Sequence, residues 1–472
     1  MPIFSIPGAA RPLVVVVGAL VTLQSSQTLD LPKVAFFAVA ILALAGSILH
    51  VWKGRDSGLT GPARPWLIAS VIIAAIVGLS LPVAVANGTA LGTWLRDAAP
   101  YALIAAAPWL ALDLASAVSP RVITWATIIA GSAATVSFAI NWVQRRHLVD
   151  LPLDRLVLPS FALATAFFAL LVARSMRGSR DRYAWAVAAA VAIGLLLSTG
   201  TRTTLVLAAV PIVLLGDAVR VGGRSTLRTA FIPAVVPLVV VAVVLTPGVL
   251  RSLSGPPPVP LATAPTTLAT APTTSVGGSN LPVGPSADVR PPPSRDQTPG
   301  PPPVRTPTPT PVPDPGRFGT IDAVVAGSDV SLRLRWAQTV SAWNIFLSSP
   351  LVGRGLGVPI PWIDWDGTLV ATFSADTPLT VLAKFGLMGI VIWVALAWAT
   401  ISTLRRLRRT GRPGAIPRAA LLGFATGIIV LAPFGAQLED KGTGLALILL
   451  VGLALAVIRS SEREGVSLQA HA

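Results

Sequence analysis

The residues best suited to chemistry crowd one polar stretch, from Ser328 to Gly389. It carries Arg333, Arg335 and Arg354 together with Asp329, Asp364, Asp366 and Asp376, in a chain of which only 12% is charged. Guanidinium groups stay ionised and match phosphate bidentately, so such arginines suit a diphosphate. A carboxylate at a bilayer edge can have its pKa raised by partial burial and serve as a base. Further candidates lie at the ends of apolar runs: Arg202 in STGTR, Arg96 and Asp97, and the group Arg145, Arg146, His147, Asp150, Asp154 and Arg155. Any one of these is explained by snorkelling to lipid headgroups. Together they describe a positive rim that suits an anionic ligand. The glycines of PLVGRGLGV lack a surrounding strand–turn–helix pattern and read as a flexible turn, not a nucleotide fingerprint. With no cysteine and three scattered histidines (His50, His147, His471), neither a disulfide nor a metal cluster is expected, and no cofactor is called for.

These residues must be positioned by membrane helices. Of the 472 residues, 53% are hydrophobic, and a soluble domain has about 25% charged residues. A span needs roughly 20 apolar residues. The expected spans are 12–26, 32–52, 65–86, 95–112, 121–142, 157–174, 183–199, 203–219, 230–249, 378–400, 419–437 and 442–459. That is about 12 transmembrane helices, or 11 without the short first one, in an all-α polytopic membrane protein with a large external loop. No cleavable signal peptide is evident.

The net charge of +16 raises nucleic acid as a partner, but its placement argues against that. One set of loops and termini holds 20 basic residues, including the cluster LRRLRRTGRPGAIPR at 404–418; the opposite short loops hold seven. The richer side is expected to be cytoplasmic, with both termini inside and the loop 250–377 extracytoplasmic. Arginine outnumbers lysine 32 to four, and with the wealth of Ala, Val and Pro this points to a GC-rich bacterial genome and a plasma-membrane location.

Four regions follow: spans at 1–250, a Pro/Thr-rich linker at 251–327, an external functional loop at 328–377, and the last spans and tail at 378–472. Residues 256–315 contain 20 prolines, a composition that cannot bury a core and is expected to be disordered or polyproline-II-like. After it, Leu332, Trp336, Val340, Trp343 and Leu347 recur at helical spacing, predicting an amphipathic helix on the membrane surface that ends at Pro350.

The STGTR turn, the long external loop, the run RLRWAQTVSAWNIFLSSPLVGRGLGV and a span opening in GLMG resemble the O-antigen ligase and polymerase superfamily, over the span layout and residues 198–220 and 328–395. The resemblance implies a metal-independent inverting glycosyltransferase of the C type. Its substrates would be a polyprenyl-diphosphate-linked glycan and a glycan, lipid or protein acceptor outside the membrane. It assigns the diphosphate to Arg202 with Arg333 or Arg335. The family's loop motif, counted back from Gly386 and Gly389, puts Ala375 at the His position and Asp376 beside it, while Lys384 replaces the acid usual before the glycine. Alanine cannot activate a hydroxyl, so Asp376 is the candidate base, ahead of Asp329, Asp364, Asp366 and His147. The rival reading is a non-catalytic relative, or a transporter or flippase of lipid-linked glycan; no broken-helix inverted repeat is visible in the sequence to favour it.

Overall fold

The computed structural model describes residues 10–23, 31–53, 60–145, 157–177, 181–198, 206–220, 230–232, 234–239, 330–363, 369–372, 374–375 and 377–470. The Pro/Thr tract lies outside the described residues. The chain is a mostly helical, multi-pass membrane protein. Its helices are α1 (Ala10–Thr22), α2 (Leu31–Lys53), α3 (Thr60–Ala86), α4 (Leu91–Ala117), α5 (Pro120–Arg145), α6 (Phe161–Arg177) and α7 (Arg182–Ser198). They continue with α8 (209–220), α9 (Ala230–Val239), α10 (Val330–Ser348), α11 (Leu379–Phe385), α12 (Met388–Arg409), α13 (Ala415–Leu431) and α14 (Lys441–Ala470). Among the described residues, six helices are long and apolar enough to cross a bilayer: α2, α3, α4, α5, α12 and α14.

The core forms where small residues let helices approach closely. The α-carbon of Gly444 faces the backbone of Leu103, and Gly452 faces Ala111 and Leu114, leaving little room for a Cβ. As a result α4 and α14 are almost wholly buried, while α2 and α12 turn most of their apolar surface outward. Sparse polar bonds set the register of the outer helices. Trp66 Nε1 donates to Thr403 Oγ1 at 2.7 Å between α3 and α12, and Trp109 Nε1 donates to Ser70 Oγ at 2.8 Å between α4 and α3.

The expected span 378–400 is shifted and broken. Gly386 adopts φ +59°, its amide bonds Leu382, and the Leu387 amide bonds the Pro350 carbonyl at 2.8 Å. The chain therefore ends the short, buried α11 and restarts as α12 at Met388, so the apolar run continues to Arg409.

Residues 330–385 build a small unit against this end of the bundle. It includes an antiparallel hairpin of β1 (Ile360–Ile363) and β2 (Leu369–Thr372), with Ile360 opposite Thr372 and Ile363 opposite Leu369. Among the described residues this two-stranded hairpin is the one sheet in a mostly helical chain. Ala342 and Ile345 of α10 pack on Ile360, Trp362, Ala375 and Ala383 as a separate apolar cluster. The greasy stripe expected on α10 is its outer face: Trp336 is 70% exposed, and Val340, Trp343 and Leu347 are exposed with it. The helix thus buries alanine and isoleucine against the small unit and presents its tryptophans outward, away from the described residues.

Candidate active site

The chemistry-bearing centre of this end is buried and contains an acid that the sequence reading passed over. Lys384 of α11 is fully enclosed. Its Nζ donates to Asp97 Oδ1 of α4 at 2.6 Å and pairs with Glu439 Oε1, in the turn before α14, at 2.6 Å. Tyr101, one turn beyond Asp97, donates its hydroxyl to the same Glu439 oxygen at 3.0 Å and meets Phe385 edge-on, with centroids 4.9 Å apart. One ammonium thus serves two carboxylates. Burial pushes the Glu439 carboxyl above its ordinary range; Lys384 opposes that rise and the Asp97 charge adds to it. Glu439 Oε2 is buried and has no hydrogen-bond partner among the described residues.

The glycine turn is held to this centre. Gly353, Gly355 and Gly357 all have positive φ, from 66° to 84°. Three of the turn's amides are bonded to this centre: Arg354 N–H to Ala383 O at 3.0 Å, Gly355 N–H to Lys384 O at 2.9 Å, and Gly357 N–H to Asp97 Oδ2 at 2.7 Å. A Cβ on Gly353 would lie 2.4 Å from the Lys384 carbonyl carbon. The expected flexible turn is therefore a fitted one, which positions Arg354 half-buried at the edge of the centre.

A second acid lies beside the first. Asp440 Oδ2 accepts from Ser160 Oγ at 3.0 Å and from the Ala162 amide at 2.8 Å, and Oδ1 accepts from the Gly442 amide at 2.8 Å. It therefore caps α14 and ties that start to the first turn of α6. Burial raises its carboxyl pKa, and the bonds from Ala162, Gly442 and Ser160 work against the rise.

Cations gather here as well. Lys441 lies within electrostatic reach of Lys33 of α2 and Arg96 of α4, and Lys33 is buried at 5% exposure. Of the residues expected to act, Arg202 and Asp376 lie outside the described residues, as do Asp329, Asp364, Asp366 and His147. Arg333 lies on α10, but its side chain is outside the description; Arg335, also on α10, is half-buried and makes no ion pair among the described residues. The neighbours of Asp376 are fixed: Ala375 and Thr377 are buried, and the Ala375 carbonyl accepts from the Thr377 amide at 2.7 Å and from Thr380 Oγ1 at 3.0 Å. Glu439 could have been suspected from QLED, an acid pair set between two apolar runs. Among the described residues no cluster of ligands suits a metal ion.

No known family model matches the chain, and no curated protein matches it.

Proposed function

We propose that this chain is a membrane glycosyltransferase of the O-antigen ligase or polymerase kind, moving a glycan from a polyprenyl-diphosphate carrier to an acceptor outside the membrane. The observation that carries the reading is the convergence of Lys33, Arg96 and Lys441, from three helices, on the end that also holds Arg354 and the Asp97–Lys384–Glu439 centre. Cations gathered at a membrane edge, with Asp440 beside Lys441, suit an anionic ligand, and a diphosphate offers one at headgroup level. In this reading about 12 spans cross a bacterial inner membrane with both termini cytoplasmic, and this end faces outward. Arg202, Arg333 and Arg335 hold the diphosphate and stabilise charge on the leaving group. Asp376 takes the proton of the acceptor hydroxyl. The buried centre positions the turn and α11, and so the flanks of Asp376.

The test joins binding and chemistry. Purified protein is titrated with a polyprenyl-diphosphate glycan, and lipid-linked glycans are analysed in a deletion strain. Loss of a ligase leaves long chains on the carrier, and loss of a polymerase leaves single repeats. Each charge-assisted contact contributes roughly 1.5–3 kcal/mol, so Arg202→Ala should weaken binding about ten- to a hundredfold. Asp376→Asn should stop transfer while binding persists. Wild-type binding and turnover in both Arg202→Ala and Arg333→Ala would refute the diphosphate reading.

One observation favours a transporter instead. The α11–α12 and α13–α14 connections interrupt helices beside buried ionisable groups, an arrangement used by transporters. Binding without any transfer product, together with carrier-dependent flux in vesicles, would select it.

A further inference from the structure

At the opposite end of the bundle, a cleft of ≈ 460 Å3 opens between the first turns of α3 and the last turns of α12. Arg64 forms one wall, and Arg405, Arg406 and Arg409 form the other. Ser402 adds a hydroxyl, and Trp398 lies one turn before it on α12, 44% exposed on the apolar surface of the bundle. The Trp66–Thr403 bond fixes the two helices against each other, so the walls are held apart at a set spacing.

The bland explanation is that arginines at a helix C-terminus complement its dipole and meet bulk lipid phosphates. Two observations go beyond it. First, other arginines at this end have found protein partners: Arg11 pairs with Asp113, Arg418 with Asp217, and Arg459 donates to the Ala115 and Ser116 carbonyls. The four in the cleft make no ion pair among the described residues, and no acid lines it. Second, they face one another across a concave space.

We propose that this cleft is a binding site for the phosphate of an anionic membrane lipid, with the guanidiniums and Ser402 on the headgroup and Trp398 against the start of the acyl chains. A free phosphate offers the same headgroup chemistry, but the exposed tryptophan leading from the cleft onto the lipid-facing surface selects the lipid. The site is independent of the diphosphate reading and lies at the far end of α12 from it.

Native mass spectrometry of the purified, delipidated protein titrated with phosphatidylglycerol tests this. One saturable adduct is expected, with phosphatidylcholine binding at least tenfold more weakly. Arg64→Gln and Arg409→Gln should each weaken the adduct roughly tenfold, and the combined Arg64→Gln, Arg405→Gln, Arg409→Gln protein should lose it. Arg408→Gln, on the same helix but outside the cleft, should bind as wild type. These are exposed positions, so melting temperatures should match wild type; should the combined protein not fold, the single variants still decide. Equal binding of both lipids, or wild-type retention of phosphatidylglycerol by the Arg64 and Arg409 variants, would overturn the proposal. Displacement of the adduct by equimolar inorganic phosphate would overturn the lipid assignment in favour of a soluble anion.

Discussion

The two ends of the bundle use similar charged residues in opposite ways. At the end capped by α10 and the hairpin, Lys384, Asp97 and Glu439 are removed from water and answer one another. At the other end Arg64, Arg405, Arg406 and Arg409 line an open cleft and answer nothing among the described residues. A buried charge must be paired inside the protein, so it locks architecture. A charge left unpaired at the surface keeps its capacity for an outside ligand. The comparison predicts a graded set of responses to mutation.

The largest effect is expected at Lys384. Replacing it with Met strands two carboxylates in a site where Asp97 and Glu439 are more than nine-tenths buried. Removing one partner of a buried ion pair costs about 3–5 kcal/mol. Chemical or thermal unfolding in detergent should show that loss. The combined Lys384→Met, Asp97→Asn, Glu439→Gln protein should recover much of it, because no charge is then left unpaired. A failure to recover would mean that the centre acts through shape and not charge.

Next comes the fitted turn. Gly353→Ala places a methyl against the Lys384 backbone at φ +66°. Left-handed strain and overpacking together should cost about 2–4 kcal/mol. Gly411→Ala, also at positive φ but facing open space, should cost only the strain, about 1–2 kcal/mol. Equal melting temperatures for the two would show that the turn gives way.

Much of this was legible in the chain and some was not. Hydropathy marks the helices, because a bilayer demands long apolar runs whatever their partners. The period of α10 is equally local. The direction of its stripe is not: Trp336 and Trp343 face outward, and α10 packs on its neighbours through Ala342 and Ile345 instead. The break at Gly386 was hidden within a run whose only charged residue is Lys384, since it depends on a bond to Pro350. The hairpin carried a signal in Asp366–Gly367 between two apolar segments, a common turn pair. The buried centre carried almost none. Its members are separated by 287 and 338 residues in the Lys384–Asp97 and Tyr101–Glu439 bonds, and Lys384 read only as a departure from a motif. Pairings at that range come from packing.

The third effect depends on pH. Glu439 and Asp440 both have carboxyl pKa values raised by burial in the folded protein. The folded state therefore holds those protons more tightly than the unfolded chain, whose carboxylates titrate near 4. Their stabilisation is present in full below that range and is lost as pH rises through the folded values. Each proton contributes at most about 1.4 kcal/mol per pH unit. Melting temperature followed upward from pH 4 should fall, and Glu439→Gln should flatten part of that slope. An unchanged slope would show that Glu439 is ionised throughout.

The smallest effect is the sharpest test of the contrast between the ends, because it compares two arginines on the same side. Arg418 pairs with Asp217, and both side chains are largely buried. Arg405 lines the cleft and is exposed. Loss of Arg418 leaves Asp217 short of its cation, so Arg418→Ala should cost about 1–3 kcal/mol. Loss of Arg405 removes no internal partner and relieves its repulsion with Arg406 and Arg409, so Arg405→Ala should stay within about 0.5 kcal/mol of wild type in delipidated detergent. The two should converge when phosphatidylglycerol is added. A lipid bound only to the folded state raises stability by mass action, and Arg405→Ala forgoes part of that gain while Arg418→Ala keeps it. The measurement is the melting temperature of both variants with and without the lipid. A large loss for Arg405→Ala in the absence of lipid would place this arginine among the internal, architectural charges and remove it from the cleft's binding surface.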